Sequence, residues 1–248
     1  MAQYSTEAIL LAVRNWGEAD KMVTFFSRDM GKIKAVAYGC RRPKSSLAGG
    51  MQIFSQLRLQ VMSGNQLDSI RQCETLQSFK EVREDLVCVA YAAFLAEVTA
   101  ECCPEHHPEP AIYDLLLAAF STLALRNPRL VALAAAYQLL EYTGYQPSYT
   151  KCVICQSEIT TDSAFSIEKG GAVCPNCLSA DMLAFTLPMQ GFIKNLLQLN
   201  WHRMEPFAIR GAILMSTESL LLAYLQFILD KPLKSLNFIK QLATLPKV

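Results

Sequence analysis

The sequence predicts an α+β protein: a five-stranded barrel at the N-terminus, then an all-α helical bundle domain carrying an inserted four-cysteine module. Three observations predict it. The first 80 residues carry short apolar or alternating runs punctuated by turn residues. From about residue 82 the apolar period lengthens from two to three or four. Four cysteines in two C-x2-C pairs then interrupt the helical rhythm.

In order along the chain, Ala8–Val13, Met22–Phe26, Lys32–Tyr38, Ile53–Val61 and Leu67–Cys73 read as strands. The turn signals between them are Asn15-Trp16-Gly17, Asp29-Met30-Gly31, Ala48-Gly49-Gly50 and Ser63-Gly64-Asn65. Five short strands at this spacing fit an oligonucleotide-binding (OB) barrel or an SH3-like barrel equally well. Asp85–Cys103 reads as a helix with Leu86, Ala90, Ala93, Phe94 and Val98 along one stripe. Glu109–Arg126 follows, with Pro110 in its first turn and Ile112, Leu115, Leu116 and Phe120 as its apolar face. Pro128–Thr143 is the third helix, and Gly144 stands where a helix-ending glycine belongs. These three carry few charges, so a bundle is expected. Pro188–Leu199, Pro206–Leu229 and Pro232–Leu242 read as further helices packing back on the first three. The implied division is residues 1–80, 81–147, 148–182 and 183–248.

The 248-residue chain is 52% hydrophobic and 18% charged, a composition that buries a core. Its net charge of +1 averages two unlike parts. Residues 1–80 hold 11 basic and 6 acidic residues, and the remainder 12 and 16. An anionic partner is therefore expected at the N-terminal part. The opening residues lack the basic start and apolar run of a signal peptide. The longest apolar stretch, Leu86 to Ala96, falls well short of the roughly 20 residues of a membrane span. A cytoplasmic location follows as an expectation, and in that compartment cysteines stay reduced.

Cys152-Val153-Ile154-Cys155 and Cys174-Pro175-Asn176-Cys177 have 18 residues between the pairs. Four thiolates at that spacing suit one structural zinc ion in a closed tetrahedral shell, with no open position for catalysis. The alternative is two buried pairs or a redox dithiol. Gly170-Gly171 supplies a hairpin-like turn returning the second pair to the first. His106 and His107, in a Pro-Glu-His-His-Pro linker, read as a solvated loop rather than a second metal site.

Lys32–Tyr38 alternates strictly, placing Lys32, Lys34, Val36 and Tyr38 on one face of a strand and Ile33, Ala35 and Ala37 on the other. Arg41, Arg42 and Lys44 follow in a loop stiffened by Pro43. Such a surface can track phosphates while Tyr38 or Phe54 offers a stacking face; a solvated basic loop is the plainer reading. The chain has no G-x-x-x-x-G-K-[ST] loop, G-x-S-x-G elbow or H-E-x-x-H pair, so an enzyme is not expected.

The block from Gly17-Glu18-Ala19-Asp20-Lys21 through Val23-Thr24 to Gly31-Lys32 resembles the opening of the RecO family of bacterial DNA-repair proteins. Tyr38-Gly39-Cys40-Arg41-Arg42-Pro43-Lys44-Ser45 is similar to its next block, with Cys40 where a smaller residue is usual. Further landmarks follow in the same order: Ala90-Tyr91 with Glu97, Tyr113-Asp114-Leu115-Leu116, and Leu140 with Gly144-Tyr145-Gln146-Pro147. The resemblance implies an OB fold, a helical domain and an inserted zinc module. It implies binding of single- and double-stranded DNA, annealing of complementary strands, and work with RecR, and in some bacteria RecF, in loading RecA on strands coated by single-strand-binding protein (SSB). Lys32, Lys34, Arg41, Arg42 and Lys44, with Arg14 and Lys21, are the matching candidates for DNA contact. Arg126 and Arg129 are candidates for the acidic, Phe-ended SSB tail, although a helix-end arginine also suits the C-terminal dipole. A zinc-stabilised interaction hub with weak DNA affinity is the second reading.

Overall fold

Five strands open the computed structural model, which describes residues 2–203 and 209–244. They are β1 (Gln3–Trp16), β2 (Asp20–Ser27), β3 (Gly31–Ala37), β4 (Gln56–Met62) and β5 (Asp68–Gln77). Ala8, Leu10, Val23, Phe25, Ala35, Ala37, Leu57, Leu59, Val61 and Ile70 point to one apolar core. The strand order is β1-β2-β3-β5-β4, and β4 pairs in turn with β1. All these pairings are antiparallel except β3 with β5, where Ala35 meets Asp68 and Val36 meets Ser69. A parallel pair requires a crossover rather than a hairpin, and that crossover gives the sheet the Greek-key order of an OB fold.

The chain separates into two compact units, Met1–Ala132 with Leu233–Val248, and Leu133–Pro232. In the first unit the strands are joined by α1 (Lys80–Glu84), α2 (Leu86–Cys102), α3 (Pro110–Leu123) and α7 (Lys234–Thr244). α2 and α3 pack on each other and on β1, and α7 packs on α2. Asp85 caps α2 by accepting the Cys88 N–H at 2.8 Å, the role expected of a short carboxylate before a helix. α7 is capped from a distance: the Glu97 carboxylate on α2 accepts both the Lys234 and Ser235 N–H groups at 2.8 Å and the Ser235 hydroxyl at 2.6 Å.

Four details depart from the sequence reading. Leu86 is 61% exposed, because it is the first residue of α2 and precedes the turn in which Cys88 becomes the buried position. Val36 is buried although it shares a face with the lysines, since Arg14 and Met22 lie beside it on the neighbouring strands. Phe54 is not in a strand: it takes a left-handed φ of 72° and its ring packs 5.5 Å from Phe120 inside the unit. It is therefore closed to stacking with a ligand. The linker at His106 and His107 keeps its side chains exposed, but its backbone docks on β3, where the His106 N–H reaches Lys32 O at 3.0 Å. Only glycine suits position 31: φ is +67°, and an added Cβ would meet the His107 carbonyl oxygen at 2.1 Å.

The second unit holds β6 (Ser163–Ser166), β7 (Gly171–Val173), β8 (Leu183–Phe185), α5 (Leu187–Leu197), α6 (Gly211–Leu229) and most of α4 (Pro128–Tyr142). The helix expected from Pro206 begins outside the described residues. β6 is the centre of a three-stranded sheet in the order β7-β6-β8. Tyr137, Tyr149, Phe165, Phe185 and Tyr224 form a chain of ring contacts at 5.8–6.3 Å behind it. Buried Gln138 donates to the Leu196 carbonyl at 2.9 Å and the Leu199 carbonyl at 3.1 Å, and accepts the Trp201 indole N–H at 2.7 Å. The Leu196 carbonyl lies in the last turn of α5 and Leu199 just beyond it, so Gln138 adds side-chain bonds where the regular helical ladder runs out. Among the described residues only α6 is long and apolar enough to cross a membrane, with 19 residues and mean hydropathy 1.6. Counting uninterrupted apolar runs overlooks it, because Ser216-Thr217-Glu218-Ser219 breaks the run.

Candidate nucleic-acid interface and four-cysteine centre

The outer face of β1, β2 and β3 follows from strand parity. With Val23, Phe25, Ile33, Ala35 and Ala37 turned inward, the opposite face carries Ala12, Thr24 and Lys34 in one cross-strand row and Arg14, Met22 and Val36 in the next. A groove of about 710 Å³ runs along this face, bounded on its far side by Ala93, Ala96, Glu97 and Glu101 of α2. Lys32 and Lys34 lie in its wall, but neither is idle. The Lys32 ammonium donates to the Ala100 carbonyl in the last turn of α2, and Lys34 pairs with Glu105. The lysine beside Glu105 holds that carboxyl below the ordinary carboxylate range.

The loop after β3 is anchored at one point and open elsewhere. Cys40 is buried in the sheet's core, and its burial pushes the thiol up. Arg41, Arg42 and Lys44 are all exposed. The Arg41 N–H donates to Ala19 O at 2.9 Å and its guanidinium to Gly17 O at 3.1 Å, tying the loop to the β1–β2 turn. Lys21, half-buried, follows that turn, while Arg14 is exposed with its guanidinium 5.6 Å over the Trp16 ring. Thus Arg14, Lys21, Arg41, Arg42 and Lys44 gather at one end of the sheet, and Lys32 and Lys34 continue along the groove. Sequence reasoning passed over Trp16 as a turn residue; its parity with Arg14 was the available signal.

Arg126 is exposed just beyond α3, and Arg129 stands in the first turn of α4. The dipole at a helix N-terminus disfavours a cation, so the dipole does not explain Arg129. Leu125 is 77% exposed beside them. The Cys88 thiol bonds the Leu123 carbonyl, which brings the exposed Leu86 and Val87 to the same end of α3.

In the second unit the four cysteines converge. Cys152 and Cys155 form a knuckle in which the Gln156 N–H returns to Cys152 O at 2.9 Å, with Gln156 at a φ of 62°. The Val153 N–H donates to Ala172 O at 2.9 Å, fixing the knuckle to β7. Cys174 leaves β7 directly, and a 3₁₀ turn at Pro175–Cys177 carries the fourth thiol. The hairpin turn expected at Gly170-Gly171 joins β6 to β7. All four sulfurs lie within 4.8 Å of one another, and Cys155 Sγ is 3.6 Å from Cys174 Sγ. A tetrahedron with Zn–S bonds of about 2.3 Å has sulfur–sulfur edges of about 3.8 Å, so the donor set is consistent with a zinc site. Burial opposes ionisation of Cys152, but N–H groups of Cys155, Cys174 and Ile154 outweigh it and hold that thiol at about 6. The Cys155 and Cys174 thiols push Cys177 the other way, up to about 12, because four sulfurs this close do not all ionise until a cation joins them.

A family model described as recombination protein O, N terminal, matches residues 1–79, and one described as recombination protein O, C terminal, matches residues 83–237. A DNA repair protein RecO of Symbiobacterium thermophilum is 34% identical over 249 residues, covering 98% of each chain. The DNA repair protein RecO of Pelotomaculum thermopropionicum is 31% identical over 99% of this chain and 97% of its own. That of Desulforamulus reducens is 29% identical over 98% and 96%.

Proposed function

The chain belongs to the recombination protein O (RecO) family of DNA-repair proteins, and from that membership we propose that it is a DNA-binding mediator of recombinational repair without bond chemistry of its own. In this reading residues 1–80 bind single- and double-stranded DNA, residues 148–182 form a zinc module, and the helical parts 81–147 and 183–248 meet protein partners. The observation that carries it is the gathering of Arg14, Lys21, Arg41, Arg42 and Lys44 at one end of an OB-like sheet whose groove continues past Lys34 to Lys32. Cations spaced along a groove neutralise phosphates on two strands at once and leave the bases free to pair. Annealing requires no more than that.

The partners proposed are RecR and RecF, with RecA loaded indirectly onto strands coated by SSB. Arg126 and Arg129 beside the exposed Leu125, Leu86 and Val87 support a place for the acidic, Phe-ended SSB tail, since that patch joins cations to apolar surface. Zinc at Cys152, Cys155, Cys174 and Cys177 would be structural, because four protein thiolates leave no coordination position for water or substrate. Reduced thiols and DNA contact both fit a cytoplasmic, nucleoid-associated protein.

The test is annealing of two complementary labelled oligonucleotides without ATP, across a salt series and with SSB-coated strands. Rapid annealing that fades with salt and survives SSB coating is expected. Absence of annealing and of salt-sensitive binding would leave only the interaction hub, with the basic loop meeting an acidic protein surface.

A further inference from the structure

Two large aromatic side chains stand open at one end of the five-stranded sheet, Trp16 at 46% exposure and Tyr38 at 60%. Scattered exposed aromatics are ordinary; these two are aligned. Trp16 is paired with Asp20 across β1 and β2, and Lys21 with Ala37 across β2 and β3. Carried one residue past the end of β3 at Ala37, that register sets Trp16, Asp20 and Tyr38 in one row on the outer face, directly above the row of Arg14, Met22 and Val36. Two strand spacings put the backbones of the aromatics about 10 Å apart. A hairpin tip needs no indole for its fold, and neither ring belongs to the apolar core.

The Trp16 ring and the backbone that follows Tyr38 are both held. The Arg14 guanidinium lies over the Trp16 ring at 5.6 Å, a cation–π contact that orients the indole. Gly39, the residue after Tyr38, donates its N–H to Asp20 Oδ1 at 2.7 Å, and Arg41 is bonded twice to the turn between Trp16 and Asp20. The tip and the loop are thus one piece, with Arg41, Arg42 and Lys44 on its flank.

We propose that Trp16 and Tyr38 are base-stacking residues for single-stranded DNA, at the mouth of a path that leads past Arg14 along the groove to Lys34. This rests on the DNA-binding reading above and adds to it how single strands are distinguished from duplex. Base–aromatic stacking tolerates any sequence because every base has a π-face. In a duplex those faces are covered by neighbouring base pairs, so the aromatics favour single strands while the cations serve both.

The experiment measures binding of an oligothymidine and of a duplex of equal length, across a salt series, for the full chain and for Trp16→Ala, Tyr38→Ala and Trp16→Phe. Each alanine variant is expected to weaken oligothymidine binding by about fivefold to 150-fold, with the salt slope kept and duplex binding little changed. Trp16→Phe keeps most of the affinity, which separates stacking from misfolding. In a Trp201→Phe background the remaining indole emission should be quenched as oligothymidine saturates. Unchanged oligothymidine affinity in both alanine variants overturns the stacking role, as does an equal loss on single strands and duplex. If the unaltered chain binds neither nucleic acid in a salt-sensitive way, the DNA-binding reading fails first and the stacking role with it.

Discussion

Replacing Arg41, Arg42 and Lys44 by alanine removes three exposed cations whose loss costs the fold little. Only Arg41 bonds elsewhere through its side chain, to the Gly17 carbonyl at 3.1 Å. Lys32 is engaged with the Ala100 carbonyl and Lys34 with Glu105, whereas Arg14 meets the softer Trp16 ring and Met22 sulfur. The cations counted for phosphate are therefore these three with Arg14 and Lys21. Each neutralised phosphate on a single strand contributes about −0.7 to the log–log salt slope, giving about −3.5 for the unaltered chain and about −1.4 for the variant. Between 1 M and 0.1 M salt those slopes diverge by about two decades, so the variant should bind about a hundredfold more weakly at 0.1 M. Fluorescence anisotropy with a labelled oligonucleotide at several salt concentrations measures both quantities, and a thermal melt checks that the fold persists. A variant with near-normal affinity and an unchanged slope would refute the loop assignment. An unaltered slope steeper than about −4.5 would show instead that Lys32 and Lys34 leave their partners to join the site.

Metal analysis should find about one zinc per chain, lost in a Cys152→Ser, Cys155→Ser variant whose hydrogen exchange rises around residues 148–185 before DNA binding falls; no zinc in either protein contradicts the site. After chelation, alkylation followed by mass spectrometry should mark Cys152 and Cys155, whose thiols are lowered, ahead of the cysteines outside the cluster. Burial pushes Cys73 and Cys88 up to about 11, and Cys102 and Cys103 to about 12, so they hold little thiolate at neutral pH. Glu97→Ala should cost about 2 kcal/mol in denaturant unfolding and release hydrogen-exchange protection in α7, with Glu97→Gln intermediate; unchanged protection there would show that the cap contributes nothing. The Asp85 carboxyl is lowered by the N–H of Cys88, and that of Glu105 by Lys34. Their stabilisation is therefore complete above the unfolded carboxylate values of about 4 and is lost as pH falls through the lower folded ones. Asp85→Asn should flatten the acid limb of a stability–pH curve, and an unchanged limb would remove Asp85 from its causes.

Strands β1 to β5, the helices α2 to α4 and the thiol cluster were legible because each rests on a local pattern: period two, period near 3.6, and paired cysteines at a fixed spacing. Errors arose where a distant partner decides the outcome. Phe54 has the composition of a strand residue, yet Phe120, far along the chain, takes its ring into the interior. Lys32 and Lys34 read as a free cationic face because Ala100 and Glu105 reach them only through the fold. Glu97 looked like the residue that breaks an apolar run, and nothing local announces that it caps α7. The crossover that distinguishes an OB sheet from an SH3-like one likewise resides in a parallel pairing between β3 and β5 that spacing alone cannot encode.

The bonds from Glu97 to Lys234 and Ser235 join residues 137 and 138 positions apart. On a ribosome adding about 5–20 residues per second, α2 is made roughly 7–27 s before the helix it caps. Through that interval the N-terminal strands are already synthesised while the flank of α2 stays uncovered and its carboxylate has no helix to hold. The first unit is thus begun before the second is made and completed only after it. A nascent chain stalled anywhere in residues 133–232 would carry the strands and α2 but not α7. Truncations or fusions at the C-terminus would therefore be felt beside the N-terminal sheet.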